Sequence, residues 1–251
     1  MSFFSDISAI QNIVYIFSSI LFISGIKMLG KEDTAVRGNF LSASAMFIAV
    51  AVTIINVVNP VIVLIGVSIG AVIGSLIALR VKMTSIPEMV ALFNGFGGLA
   101  TFFIAWSEFN AIPDNVFQFI VIMLTTYIGG VTFSGSIIAY GKLSEKLKVK
   151  KDSFVTKIFT TFFYASILFL VYSIGFTEII ELPINFFTVL LILTLLGGIG
   201  FVIPIGGGDM PVVISLLNSF SGIAAAFAGL LLLNNVLIVA GSLVGASGLI
   251  L

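Results

Sequence analysis

Polar side chains are scarce enough in this sequence that those able to do chemistry can be taken one at a time. The 251 residues include no histidine and no cysteine. That excludes the imidazole and thiolate ligands of ordinary zinc sites and any disulfide framework. Carboxylates, hydroxyls, amides and the backbone remain. Two amides, Asn94 and Asn218, stand inside apolar stretches, each seven residues after a proline, Pro87 or Pro211. A proline is well placed as the first helical residue, so each amide lies about 10 Å along its helix. An amide at that depth in an apolar medium must find a partner. It either glues two helices, for on the order of 1 kcal/mol, or lines a wetted polar path. Thr125, Thr126, Thr132, Ser134 and Ser136 gather around Gly129-Gly130, with Thr125, Thr132 and Ser136 near one helical face. Such hydroxyls either bond to carbonyls four residues back or join a path. Ser215 shares a stretch with Asn218. The carboxylates Glu88 and Asp209 stand at stretch edges, and Asp209, two residues before Pro211, either caps a helix or serves function. Gly206 to Gly208 does not match G-x-G-x-x-G, which argues against a nucleotide site in this chain.

The elements that must position these groups are set by lipid. Hydrophobic residues make up 59% of the chain and charged residues 9%, against roughly half and a quarter in a soluble domain. Residues 1–10 hold Asp6 and no Lys or Arg, so they lack the basic region of a cleaved signal peptide, and the first segment is expected to stay. A helix needs about 20 apolar residues to cross some 30 Å of hydrocarbon. That ruler predicts an all-α membrane protein, a single transmembrane domain over 1–251 with about nine spans. They run near 7–29, 39–58, 60–80, 86–106, 115–140, 155–175, 184–205, 211–232 and 234–251. Two uncharged stretches are each about 40 residues, roughly 60 Å of helix, so each must be a hairpin. The turn signals Asn59-Pro60 and Asn234-Asn235 lie near their middles.

Short loops on the cytoplasmic side favour Lys and Arg. All eleven, Lys27, Lys31, Arg37, Arg80, Lys82, Lys142, Lys146, Lys148, Lys150, Lys151 and Lys157, fall on connections 1–2, 3–4 and 5–6 or at their edges. The opposite connections carry Glu108, Asp114, Glu178 and Glu181, with Asp6 before the first span. The N-terminus is therefore expected outside and the C-terminus in the cytoplasm. The Lys142 to Lys157 run reads as a solvated, positive-inside loop.

The chain also aligns on itself. Residues 87–100, PEMVALFNGFGGLA, lie over residues 211–224, PVVISLLNSFSGIA, with Pro, Leu, Asn, Phe, Gly and Ala coinciding at one offset. Ser134-Gly135-Ser136-Ile137-Ile138 corresponds weakly to Ser247-Gly248-Leu249-Ile250-Leu251. Spans 3–5 and 7–9 thus read as a parallel internal repeat, with a binding or conduction path between the copies. Gly66, Gly70 and Gly74 form a small-xxx-small stripe, read as helix packing.

Five motifs carry a family resemblance. They are residues 83–92 (MTSIPEMVAL), 130–136 (GVTFSGS), 141–143 (GKL), 207–213 (GGDMPVV) and 217–222 (LNSFSG). Together they resemble the membrane domain of the β subunit of proton-translocating NAD(P) transhydrogenase, over nearly the whole chain. The resemblance implies a bacterial cytoplasmic-membrane enzyme coupling inward proton movement to hydride transfer from NADH to NADP⁺. NAD(H) and NADP(H) would sit on partner domains, with no cofactor bound by this chain. It implies a companion α membrane subunit, soluble NAD- and NADP-binding domains, a homodimer of the membrane unit, and no nucleic acid. Many members carry a membrane histidine where this chain has Asn94, so the titrating histidine is expected on the companion, as in three-polypeptide bacterial members. A cytoplasmic NADP-binding domain is expected after residue 251. The resemblance favours a functional role for Asn94 and Asn218, and the expected proton path is a water chain along Asn94, Asn218, Thr132, Ser134 and Ser215 that connects to a protonatable group on the companion. The resemblance implies that Asp209, Gly245, Ser247 and Gly248 face the NADP-binding domain or the channel, and these residues with Glu88 are expected to couple the membrane part to the soluble domain. Two other readings fit hydropathy: a self-contained secondary transporter with substrate between the repeats, and a passive membrane scaffold for soluble subunits.

Overall fold

In the computed structural model, described over residues 2–55, 57, 59–111, 113, 115–150, 153–175 and 184–250, leaving aside the side chains of 2–8, 184 and 185, the regular elements are helical. They are α1 (Ser2–Leu29), α2 (Ala35–Ile54), α3 (Pro60–Arg80), α4 (Ile86–Asn110), α5 (Val116–Leu143), α6 (Phe154–Gly175), α7 (Ile184–Val202), α8 (Met210–Leu231) and α9 (Asn235–Ile250). Single 3₁₀ turns, Met83–Ser85 and Gly207–Asp209, precede α4 and α8. Seven helices are long and apolar enough to cross a membrane, and Phe186–Val202 and Asn235–Ile250 are shorter apolar helices. Isoleucine, valine and leucine stay exposed along α1 and α3, as at Ile13, Ile20, Ile62 and Ile69. A surface of that kind is stable against lipid, and this is the build of a multi-pass membrane protein.

Several helices outrun the apolar stretch that predicted them. α2 begins at Ala35 rather than 39, α4 continues to Asn110 rather than 106, and α5 to Leu143 rather than 140. Backbone hydrogen bonding continues past the last apolar residue until a cap or turn stops it. α7 does the reverse and ends at Val202, short of 205, because Pro204 cannot donate to the helix and disfavours helical geometry at Ile203. Asp114, Lys151, Glu178, Glu181 and Leu251, and the side chain of Asp6, lie outside the described residues.

The chain forms two compact units, Met1–Val81 and Lys82–Leu251. In the first, α1 packs on α2 through glycines. A β-carbon on Gly38 would come within 2.7 Å of the Gly25 carbonyl oxygen and 2.8 Å of Met28 Cβ. Further along the pair, Tyr15 OH lies 2.8 Å from Thr53 Oγ1, and Gln11 Nε2 donates to Tyr15 OH and to the Val52 carbonyl, each at 3.1 Å. α3 buries none of its residues. β-carbons on Gly66, Gly70 and Gly74 would meet nothing within 4 Å, so the packing read from that stripe finds no partner among the described residues of the unit.

In the second unit α5 is the axis, touching α4, α6, α7 and α8, while α8 also packs on α4 and α9. Two apolar clusters bracket α5. One joins Phe119, Ile122 and Met123 to Ala105, Leu170, Phe187 and Leu190. The other joins Ala139 to Ala91, Val202, Met210, Val213 and Leu217. Between them α5 buries small or hydroxylated residues: Thr125, Thr126, Gly129, Gly130, Thr132, Ser134, Gly135 and Ser136. This polar middle is where the candidate site lies.

The α8–α9 turn closes where Asn234-Asn235 signalled it. Leu233 N and Asn234 N return to the carbonyls of Leu230 and Gly229, and Asn234 Oδ1 caps α9 by accepting from Leu237 N at 3.0 Å. This ending places Leu233 at φ 50, the left-handed region that glycine occupies without steric cost. Its side chain is 87% exposed, so little packing is at stake. Replacing Leu233 with glycine is therefore expected to raise stability by about 0.5–1 kcal/mol. A thermal melt in detergent micelles checks it, and a lowered midpoint counts against the strain.

Candidate functional site

Helices α4 and α5 approach closely because their contact residues are small. A β-carbon on Gly98 would lie 2.8 Å from the Gly129 carbonyl oxygen and 2.9 Å from Thr132 Cβ, and one on Gly95 would lie 3.1 Å from Ser136 Cβ. Close approach lets short polar side chains reach across. Asn94 Nδ2 on α4 donates to Ser136 Oγ on α5 at 3.0 Å. Ser221 Oγ on α8 donates to Asn94 Oδ1 at 2.6 Å. Ser221 Oγ also lies 2.8 Å from the Asn218 carbonyl oxygen. One amide thus joins three helices.

The same heavy-atom geometry fits two hydrogen-bond polarities. A hydroxyl has one proton, so Ser221 serves either Asn94 or the Asn218 carbonyl at a time. With the Asn94 amide turned over, Nδ2 donates to Ser221, Ser136 donates to Oδ1, and Ser221 keeps its proton for Asn218. Neither arrangement leaves a member unpaired.

Beside this chain Thr132 is fully buried, and its hydroxyl has no partner among the described residues. It stands one turn before Ser136 on α5, packed against Gly98 one turn after Asn94. An unpaired buried hydroxyl costs about 1–3 kcal/mol, which a single water would offset. Thr126, also fully buried, is in the same condition. By contrast Thr125 and Ser134 donate to the carbonyls of Val121 and Gly130 one turn back, at 2.7 and 3.0 Å. The hydroxyls of α5 thus divide: some bond locally, while Ser136 reaches a neighbouring helix and Thr132 lacks a partner.

The residues assigned to a path are only partly brought together. Asn94 and Thr132 share the α4–α5 contact. Ser134 lies on the α7 side, its hydroxyl against Gly198. Ser215 Oγ turns toward α9 and donates to the Gly248 carbonyl at 2.9 Å. The Asn218 amide is half-buried and has no hydrogen-bond partner among the described residues. In the alignment of the chain on itself, the residues aligned with Ser221 and Ser136 are Gly97 and Leu249, and neither carries a polar side chain that a second amide could use.

Of the residues assigned to coupling, Glu88 lies in the first turn of α4. Asp209 is exposed at the N-cap position of α8 but makes no side-chain capping bond, so the capping alternative is not realised. Gly245 and Gly248 are buried against α8, the latter beside the Ser219 hydroxyl, and Ser247 donates to the Val244 carbonyl at 3.0 Å. No group of three or more Asp or Glu among the described residues could hold a metal ion. The Gly206–Gly208 run opens a three-residue 3₁₀ turn after helix α7, unlike the strand–loop–helix cradle of a nucleotide phosphate.

Ser221 is not among the residues that the sequence analysis assigns to the path. Its signal was its place three residues after Asn218, on the helix facing Asn94. By sequence Lys142 reads as a solvated loop cation. In the fold Lys142 is part-buried and its ammonium rests on carbonyl oxygens of Val202, Ile203 and Ile205.

A sequence model of the family described as NAD(P) transhydrogenase beta subunit matches residues 11–251. The NAD(P) transhydrogenase subunit beta of Rhodospirillum rubrum is 35% identical over 270 aligned positions, covering 94% of this chain and 53% of the relative. A relative of the same name from a designated strain of that organism matches at the same identity and coverage. The chain therefore spans about half the length of the relatives it matches.

Proposed function

This chain belongs to the NAD(P) transhydrogenase beta subunit family, and from that membership we propose that it forms the proton-conducting membrane part of such an enzyme. Inward proton movement past α4, α5, α8 and α9 drives hydride transfer from NADH to NADP⁺. The nucleotides are held by soluble domains outside residues 1–251. One observation carries this reading. In an interior otherwise built from apolar and small residues, Ser136, Asn94 and Ser221 form a three-helix hydrogen-bonded chain beside the unpaired Thr132 hydroxyl.

An amide does not titrate, so Asn94 neither takes up nor releases the translocated proton. It orients. The two polarities of the Ser136–Asn94–Ser221 chain let the amide present a donor or an acceptor to a water at Thr132. A protonatable group on a companion membrane subunit supplies and takes the proton. Asn218 lines the same path from α8, its amide left open to water.

Nine spans, N-terminus outside and C-terminus cytoplasmic, complete the picture. Lys27, Arg80 and Lys142 in the last turns of α1, α3 and α5 support that orientation. The parallel repeat is supported by Pro87 and Pro211, each in a first turn behind a 3₁₀ turn. It is also supported by the aligned glycines Gly98 and Gly222, each jammed against the following helix. The protein works in the bacterial cytoplasmic membrane, with the companion α subunit, the NAD- and NADP-binding domains and a second copy of the membrane unit.

The test is reconstitution of the complete enzyme in sealed vesicles holding a pH dye. NADH-dependent reduction of NADP⁺ should be accompanied by proton movement, and neither should occur with this chain alone. Solute transport by the chain alone would overturn the reading in favour of a transporter. Replacing Asn218 with leucine in that system is expected to lower proton-coupled turnover about tenfold, the cost of about 1.4 kcal/mol in the barrier. Undiminished turnover removes Asn218 from the path.

A further inference from the structure

Lys142 stands in the last turn of α5, and its ammonium reaches across to α7. Nζ donates to the carbonyl oxygens of Ile203 at 2.5 Å, Ile205 at 2.6 Å and Val202 at 3.3 Å. An ammonium has three protons, so these acceptors use its whole donor set. The carbonyls belong to the end of α7 and to the turn that carries the chain through Gly206–Asp209 into α8. Because Pro204 stops α7 early, its last carbonyls are left outside the helical ladder, and of the three only Val202 accepts a backbone bond among the described residues, from Ile205 N at 3.1 Å. Lys142 donates to all three and sets a positive charge at the negative end of the helix dipole.

The same helix is also linked to α8 itself, by way of α4. Ser136, six residues or about 9 Å before Lys142 on α5, bonds Asn94, which bonds Ser221 of α8. Within the turn, Gly207 and Gly208 are exposed, have no positive φ, and would meet no described neighbour within 4 Å even with a β-carbon. The turn is held from its α5 side and open on the other.

We propose that Lys142 is a positioning residue that clamps the α7–α8 turn to α5, so that the arrangement of the Asn94 chain is passed to the cytoplasmic end of α8. The proposal rests on the transhydrogenase reading above. Lys142 touches neither proton nor nucleotide. It makes α5 a stiff arm between the polar chain and the turn bearing Asp209.

The experiment uses the complete enzyme in sealed vesicles, with Lys142→Met, which keeps much of the stem and removes the donors, and Lys142→Arg, which keeps charge and donors. Protons moved per hydride transferred should fall at least about threefold in the methionine variant and recover substantially in the arginine variant. An unchanged ratio in Lys142→Met, even with less enzyme in the membrane, would mean the lysine only caps α7, and would overturn the proposal. A second readout needs no activity. The chain has no cysteine, and Ile203 is 4% exposed, so an Ile203→Cys thiol reacts only when the turn opens. Its alkylation, read on the peptide by mass spectrometry, should speed up about tenfold when Lys142→Met is added. An unchanged rate also overturns the clamp. If the parent enzyme moves no protons, the functional reading fails, while the alkylation rates still judge the clamp.

Discussion

Replacing Asn94 with leucine is expected to lower proton-coupled turnover of the assembled enzyme about 10- to 100-fold while leaving the chain folded. Leucine is close to asparagine in size but offers neither donor nor acceptor, so Ser136 loses its bond and Ser221 keeps only the Asn218 carbonyl. Two broken hydrogen bonds, at roughly 0.7 to 1.4 kcal/mol each, correspond to that range of rates if the chain is needed in the rate-limiting state. The cost in stability is smaller, on the order of 1 kcal/mol, because polar side chains in lipid re-pair locally. The measurement is proton movement in sealed vesicles alongside hydride transfer, normalised to the amount of folded enzyme. The loss should exceed that from replacing Asn218, whose amide has no partner among the described residues. Equal turnover of the leucine variant and the parent would return Asn94 to the role of interhelical glue.

Valine at two adjacent glycines separates packing from composition. Gly98→Val is expected to cost about 3 kcal/mol or more, because its β-carbon alone would lie 2.8 Å from a backbone oxygen of α5 and 2.9 Å from Thr132 Cβ. Neither neighbour can yield without parting the helices, and overpacking of that sort costs roughly 1–3 kcal/mol before the extra methyl groups are counted. Gly97→Val points into open space, with nothing within 4 Å, and should change stability by less than about 0.5 kcal/mol. Thermal melts of the two purified variants in one detergent make the comparison. Similar midpoints for both would mean that the α4–α5 contact is looser than the glycine geometry states.

Much of the fold was legible along the sequence. The apolar stretches, the turn signals at Asn59-Pro60 and Asn234-Asn235, and prolines in the first turns of α4 and α8 all fall where helices start or stop. The ends drifted where caps rather than hydropathy decide, as at Leu143, and where a breaker sat inside the apolar run, as Pro204 does. The candidate site was legible only in part. Asn94 and Thr132 lie together as their types suggested, whereas Ser134 faces α7 and Ser215 faces α9.

The division has one physical cause. Whether a segment is helical and apolar enough for lipid, where a proline or Asn-Asn pair interrupts it, and where Lys and Arg gather are properties of neighbouring residues along the chain, and the sequence by itself determined them. Which face of each helix meets which neighbour depends on rotation about the helix axis, about 100° per residue. In a soluble protein an apolar stripe reveals that rotation. Here nearly every face is apolar, so the pattern is silent. Only the tertiary structure decided that Gly98 is jammed while Gly97 is free, that Ser221 rather than Ser215 meets Asn94, and that Lys142 turns inward to the carbonyls of α7.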